Sequence, residues 1–206
     1  MTSSNRNTQI HFILDRSGSM YEILNDTIGG FNSFIQSQKN DQNGECFMNL
    51  YQFDHEYNVS YQNKSIKEVE MLNEDTFIPR GRTALLDAIG RTISCVSVDK
   101  EINNIIVILT DGHENSSREF TYKQITKMIK KKENIGWKFV FLGANQDAIE
   151  TAAGLGINQN SAMTYSQTPH NVNACFRGLS DAISRTRSGE DEEITFTENE
   201  RENSKE

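Results

Sequence analysis

Two stretches of this chain are apolar at almost every position and stop at an aspartate. Ile10-His11-Phe12-Ile13-Leu14 runs into Asp15, and Ile105-Ile106-Val107-Ile108-Leu109 runs through Thr110 into Asp111-Gly112. A strand that covers one face of a sheet alternates apolar and polar residues; one that is apolar throughout has to be covered on both faces. Strands of that kind belong inside parallel sheets, and parallel neighbours are joined by helical crossovers. The pattern therefore predicts an α/β fold, a doubly wound and mostly parallel sheet with helices on both faces. His11 lies well below the aspartate end of its run, which suits a core or edge position better than a ligand.

The rest of the chain fits this scheme. Leu24, Ile28, Phe31 and Ile35 fall on one helical face, and Gly29-Gly30 weakens that helix while allowing a bend or close packing. Residues 47–53 read as a strand. Asp54-His55-Glu56 reads as a solvated hairpin turn into a short antiparallel edge strand over residues 57–61. A short helix is expected over residues 65–72. Ile89, Ile93 and Val96 mark the inner face of the next helix. Residues 121–132 read as a helix with Ile125, Met128 and Ile129 inward and Lys123, Lys127, Lys130, Lys131 and Lys132 on an exposed basic face. Residues 137–142 and 161–165 are the remaining strands. Gly154-Leu155-Gly156 lacks the third glycine of a dinucleotide fingerprint and reads as a helix end. Val172, Phe176, Leu179 and Ile183 mark the last helix. No internal repeat is visible.

The two aspartates gain meaning from their neighbours. Asp15-Arg16-Ser17-Gly18-Ser19 puts a carboxylate and two hydroxyls in one tight loop. Arg80-Gly81-Arg82-Thr83 brings another hydroxyl to the start of the helical run at Ala84. In a parallel sheet the C-terminal strand ends line one crevice, so these groups can converge. Hard oxygen donors suit a hard cation such as Mg²⁺. No Cys or His stands among them, so the set fits zinc poorly.

Asp15-x-Ser17-x-Ser19, Thr83 and Asp111-Gly112 together resemble the metal-ion-dependent adhesion site of von Willebrand factor A domains, a family that includes the inserted domain of integrins. The resemblance spans roughly residues 9–187, and all five motif positions carry the expected residue types in the expected order. It implies a six-stranded Rossmann-like sheet in the order 3-2-1-4-5-6, with one antiparallel edge strand. It implies Mg²⁺ or Mn²⁺ as cofactor, with Ser17, Ser19 and Thr83 giving oxygens directly and Asp15 and Asp111 holding the ion directly or through water. One position would stay open for a carboxylate from a protein partner. Asp87, one turn after Thr83, and His113, Glu114 and Asn145 are candidates for the rim of the site or for bracing its ligands.

Composition narrows the function classes. The net charge is −8, of which −6 falls on residues 188–206, leaving a nearly neutral body over residues 1–187. That body gives no electrostatic case for nucleic-acid binding. The acidic segment 188–206 reads as a disordered tail, interrupted only by Ile194-Thr195-Phe196. Cys46, Cys95 and Cys175 are odd in number and scattered, as for free thiols in a reducing compartment. The N-terminal residues carry no apolar signal core, and no apolar run approaches the ~20 residues of a membrane span. The expectation is a cytoplasmic binding module that is not an enzyme and has no membrane contact. The alternative is a metal-dependent hydrolase of a phosphate-containing substrate, with His113 and Glu114 as its acid/base pair. Against it, Asp15 is followed by Arg16-Ser17 and not by the Asp-x-Asp of haloacid-dehalogenase-type phosphatases. The chain also lacks a phosphate loop and a Gly-x-Ser-x-Gly elbow. A third reading, a fold retained with an idle site, conflicts with the complete donor set.

Overall fold

A computed structural model describes residues 7–97, 99, 101–144 and 148–205. The two apolar runs become β1 (Thr8–Asp15) and β4 (Asn103–Thr110), parallel neighbours with Leu14 opposite Leu109. β2 (Cys46–Phe53) pairs parallel with the other edge of β1, and β3 (Tyr57–Ser65) closes that side antiparallel. β5 (Lys138–Ala144) and β6 (Ala162–Tyr165) extend the sheet in parallel beyond β4. The six strands stand in the order 3-2-1-4-5-6. The order reverses between β1 and β4, so their C-terminal ends flank the crevice where ligands of open α/β sheets bind.

Alternation along the strands builds two cores. Ile10, Phe12, Leu14, Ile105, Val107 and Leu109 face α1 (Leu24–Asn40) and α5 (Pro169–Ser188). Ile13, Ile106, Ile108, Phe139 and Phe141 face α2 (Leu85–Cys95), α3 (Tyr122–Glu133) and α4 (Ala148–Leu155). Of the two glycines in α1, Gly30 is the one that matters for packing. A Cβ there would meet the Phe176 ring at 2.1 Å, so only glycine lets α1 and α5 approach this closely. α3 is held at its start by a capping box between Thr121 and Gln124. Its Lys123, Lys127, Lys130 and Lys131 are exposed, whereas Lys132 departs from that face and lies 3.8 Å over the Trp137 ring.

Two expectations are corrected. Residues 65–72 do not form a helix: β3 extends to Ser65, one 3-10 turn follows at Ile66–Glu68, and the chain then runs extended, burying Val69 and Leu72. The acidic segment after Ser188 is packed where disorder was expected. Ile194 and Phe196 join the α1/α5 core, and a short helix α6 (Glu198–Asn203) follows, capped by Thr197 and Glu200. Arg185 binds Asp191 and Glu200, and Arg201 donates to the carbonyls of Gln159, Asn160 and Ala162. Two of the acidic side chains are thus paired with Arg185, and the apolar interruption anchors the segment.

His11 sits in a row of stacked rings, between Tyr51 at 6.2 Å and Trp137 at 6.3 Å, with Nε2 3.2 Å from Asn104 Oδ1. Burial pushes its pKa down to about 4, against the pull of the Asn104 hydrogen bond; the charge on Lys132 adds to the lowering. Above pH ~6.5 the ring is neutral in both the folded and unfolded chain. Between ~6.5 and ~4 the unfolded chain binds a proton that the folded one refuses, so this group lowers stability as pH falls, by about 3 kcal/mol in all. Chemical denaturation of wild type and His11→Gln from pH 7 to 4 should show the stability difference moving in favour of Gln by that amount. The carboxylates are common to both proteins and cancel, so a flat difference would show that the row tolerates the charge.

Candidate metal centre

The β1–β4 register sets the site. Beyond the Leu14–Leu109 pair, Asp15 and Thr110 lie side by side, and Thr110 Oγ1 donates to Asp15 Oδ2 at 2.5 Å. The other carboxylate oxygen accepts the Ser17 amide at 2.6 Å, which folds the loop back over the strand end. Asp15 is fully buried, and burial pushes its carboxyl up to about 7 despite these hydrogen bonds. Asp111, half-buried at the end of β4, accepts from Ser19 Oγ at 2.6 Å and from Gln167 Nε2 at 3.0 Å. Its carboxyl is also raised, chiefly by burial. Burial favours the neutral form of both carboxyls, and a positive charge bound beside them would favour their ionisation.

Thr83 enters from the loop before α2. A Cβ placed on Gly112 would lie 2.9 Å from Thr83 Oγ1, 3.6 Å from Ser19 Oγ and 3.7 Å from Ser17 Oγ. Three hydroxyl oxygens therefore converge on one small space that stays open because residue 112 has no side chain. Ser17 and Ser19 also touch, Oγ to Oγ, at 3.2 Å. The structure brings Asp15, Ser17, Ser19, Thr83 and Asp111 to this one cluster. Ser17 and Thr83 are buried while Ser19 is exposed, so the cluster opens on one side.

The turn at Asp54 is not solvated, and this corrects the sequence reading. Asp54 is fully buried; its Oδ2 lies 3.0 Å from Arg16 Nε and 2.9 Å from Arg80 Nε, and its carbonyl accepts the Ala84 amide. Arg80 also pairs with Glu56. The backbones of the two loops are joined directly, Arg80 N to the Arg16 carbonyl and Gly18 N to that of Gly81. Asp54 thus ties the Ser17–Ser19 loop to the loop that carries Thr83. Gly81 turns there at φ +69°, where a side chain would strike the His55 ring.

The rim candidates separate. Asp87 accepts the amides of Arg118, Glu119 and Phe120 and so braces the loop after β4. Glu114 is consumed in the same way: it accepts the amides of Ser116 and Ser117, the Ser117 hydroxyl and the Leu86 amide at the start of α2. His113 is exposed. Asn145 lies outside the described residues, as do Gln146 and Asp147. Thr110 and Gln167 were missed. The signal for Thr110 was the hydroxyl beside Asp111; Gln167 gave none, since it reaches Asp111 from 56 residues away.

This donor set fits a hard divalent cation. Among the described residues no three of His, Cys, Asp and Glu gather as a metal cluster. The site instead offers two carboxylates and three hydroxyls, the oxygen chemistry of Mg²⁺ or Mn²⁺. Fold and cluster together define a doubly wound α/β domain with an oxygen-lined site at its switch point. The chain belongs to the von Willebrand factor type A domain family, whose model matches residues 9–174.

Solved structures agree on the fold. Proximal thread matrix protein 1 from the mussel byssus, with a zinc-occupied MIDAS motif, matches at TM-score 0.65 and 14% identity over 89% of this chain and 47% of its own. The vWF domain of the type V pili tip protein Mfa5 from Porphyromonas gingivalis matches at 0.65 and 11% identity, over 86% of this chain and 95% of its own. The ArnB paralog VWA2 from Sulfolobus acidocaldarius matches at 0.54 and 18% identity, over 90% and 46%. This chain thus spans less than half the length of the byssus protein and of VWA2. A comparison with curated proteins gave no match. Two of these neighbours come from a pilus and a byssus, so they lend the cytoplasmic expectation no support. Among the described residues no helix is long and apolar enough to cross a membrane.

Proposed function

We propose that this domain binds a protein partner through a divalent cation, Mg²⁺ or Mn²⁺, held by Asp15, Ser17, Ser19, Thr83 and Asp111. The observation that carries the reading is the convergence of three hydroxyl oxygens on the space beside Gly112, next to two carboxyls raised by burial. With neutral hydroxyls in most of its positions, such a site leaves the cation electrophilic toward an incoming carboxylate. Tyr21, 72% exposed and two residues from Ser19, offers the partner an aromatic surface at the mouth. The bracing role of Glu114 argues against hydrolysis, because the acid that directly follows His113 is already committed to four hydrogen bonds. The free thiols of Cys46, Cys95 and Cys175 support a reducing compartment such as the cytoplasm. Calorimetric titration of metal-free protein with Mg²⁺, Mn²⁺ and Zn²⁺ tests the site, and partner capture with and without EDTA tests its use. Capture that ignores EDTA, or metal-dependent turnover of phosphate esters that His113→Ala abolishes, would overturn the reading.

Asp54→Asn should weaken the cation without touching a ligand. It leaves Arg16 and Arg80 facing a neutral amide and loosens the two donor loops from each other. Loss of a group that orients metal ligands typically costs about 10–100-fold in affinity. The same titration on this variant, with folding checked by circular dichroism, would show unchanged affinity if Asp54 only fills space.

A further inference from the structure

Beside the oxygen cluster runs a cleft of about 500 Å³, with Arg82 in one wall and Ser116 and Arg118 in the other. Arg82 directly precedes Thr83, and the second wall follows Asp111 by a few residues. The acids of the cleft are already committed. Asp87 holds three backbone amides, and Glu119 is paired with Arg91. Arg82 and Arg118 are exposed, and no ion pair or side-chain hydrogen bond engages either guanidinium among the described residues. The Ser116 hydroxyl, also in the wall, is buried with no hydrogen-bond partner among the described residues. In a chain of net charge −8 this is a local surplus of unpaired cations.

We propose that this cleft binds a second acidic side chain of the same partner segment, so that the domain selects peptides carrying two acids a few residues apart. The proposal rests on the metal-dependent reading above and gives its partner a chemistry. One carboxylate completes the cation's coordination, and the other is received by Arg82 and Arg118, whose planar guanidinium groups match a carboxylate in two-point contact. A single carboxylate on a cation is common to any acidic protein. A second charge at a fixed offset supplies discrimination, because unpaired opposite charges across an interface steer association and fix its register.

The test is selection of a random-peptide display library on the protein in millimolar Mg²⁺, with EDTA as the reference. Peptides dependent on Mg²⁺ should carry two acidic residues within a few positions of each other. The double variant Arg82→Gln, Arg118→Gln should bind the selected peptides at least about tenfold more weakly, the effect of losing one charge-assisted contact. Its Mg²⁺-induced melting shift should equal that of wild type, which separates loss of the cleft from loss of fold or cation. Peptides with a single acid, or peptides that bind the double variant as well as wild type, would overturn the cleft while leaving the cation site standing. An intact melting shift with no Mg²⁺-dependent peptide would overturn the carboxylate-binding reading and the cleft together.

Discussion

Asp15→Ala should abolish the rise in melting temperature that Mg²⁺ or Mn²⁺ gives the wild-type protein. A ligand that binds only the folded state at a hundred times its dissociation constant stabilises it by ~2.7 kcal/mol. For a chain of this size that corresponds to a shift of roughly 5–10 °C. Of the two carboxyls in the cluster, Asp15 is the more deeply buried. It is fully buried, its carboxyl is pushed up to about 7, and Thr110 and Ser17 are its only hydrogen-bond donors among the described residues. The sign of its pH effect opposes that of His11. Between pH ~3.8 and ~7 the folded chain holds a proton on Asp15 that the unfolded chain releases, so metal-free stability should rise as pH falls through that window. The gain would be up to about 4 kcal/mol relative to Asp15→Ala. A wild-type melting temperature unmoved by millimolar Mg²⁺, Mn²⁺ and Zn²⁺ would count against a working site, as would an intact shift in the variant.

The second large effect lies across the sheet. Deleting residues 190–206 should lower the melting temperature by on the order of 10 °C. Ile194 and Phe196 are lost from the α1/α5 core, each worth ~1.5–3 kcal/mol of burial. The carbonyls of Gln159, Asn160 and Ala162 lose the Arg201 guanidinium, and Ser161 Oγ loses the carbonyl of Ile194. Arg201→Ala in the full chain should give a part of the loss. A truncated protein that melts within a degree or two of full length would return the segment to the status of a solubilising tail.

That segment shows where sequence reading stops. Composition averages over residues 188–206 and sees eight acids; it does not see that Arg185 receives two of them, or that Arg201 of the segment reaches the carbonyls of Gln159, Asn160 and Ala162. Ile194 and Phe196 were the readable signal, outweighed by the charges around them. The central strands were legible because burial on both faces leaves a direct mark, an apolar residue at almost every step. The five candidate side chains were legible as a group because they sit at strand and helix ends and together resemble the adhesion-site pattern; the structure brings them to one cluster. Asp54 was not. A buried acid and a turn acid look alike until Arg16 and Arg80 are brought over it from distant parts of the chain. Residues 65–72 failed for a similar reason: β3 pairs with β2 as far as Ser65, and beyond it Ile66, Val69 and Leu72 are drawn into the core.

The ring row under the sheet has a use apart from packing. Trp137, the single tryptophan of the chain, is 4% exposed and stands just before β5, at the end of the strand remote from the donor loops. The seven residues of β5 separate the two ends by roughly 23 Å. Its fluorescence therefore reports the integrity of the sheet from a position that an arriving cation does not reach. Emission should stay still through a metal titration and change only when the domain unfolds, which gives the protein a built-in optical reference against which events at its other pole can be read.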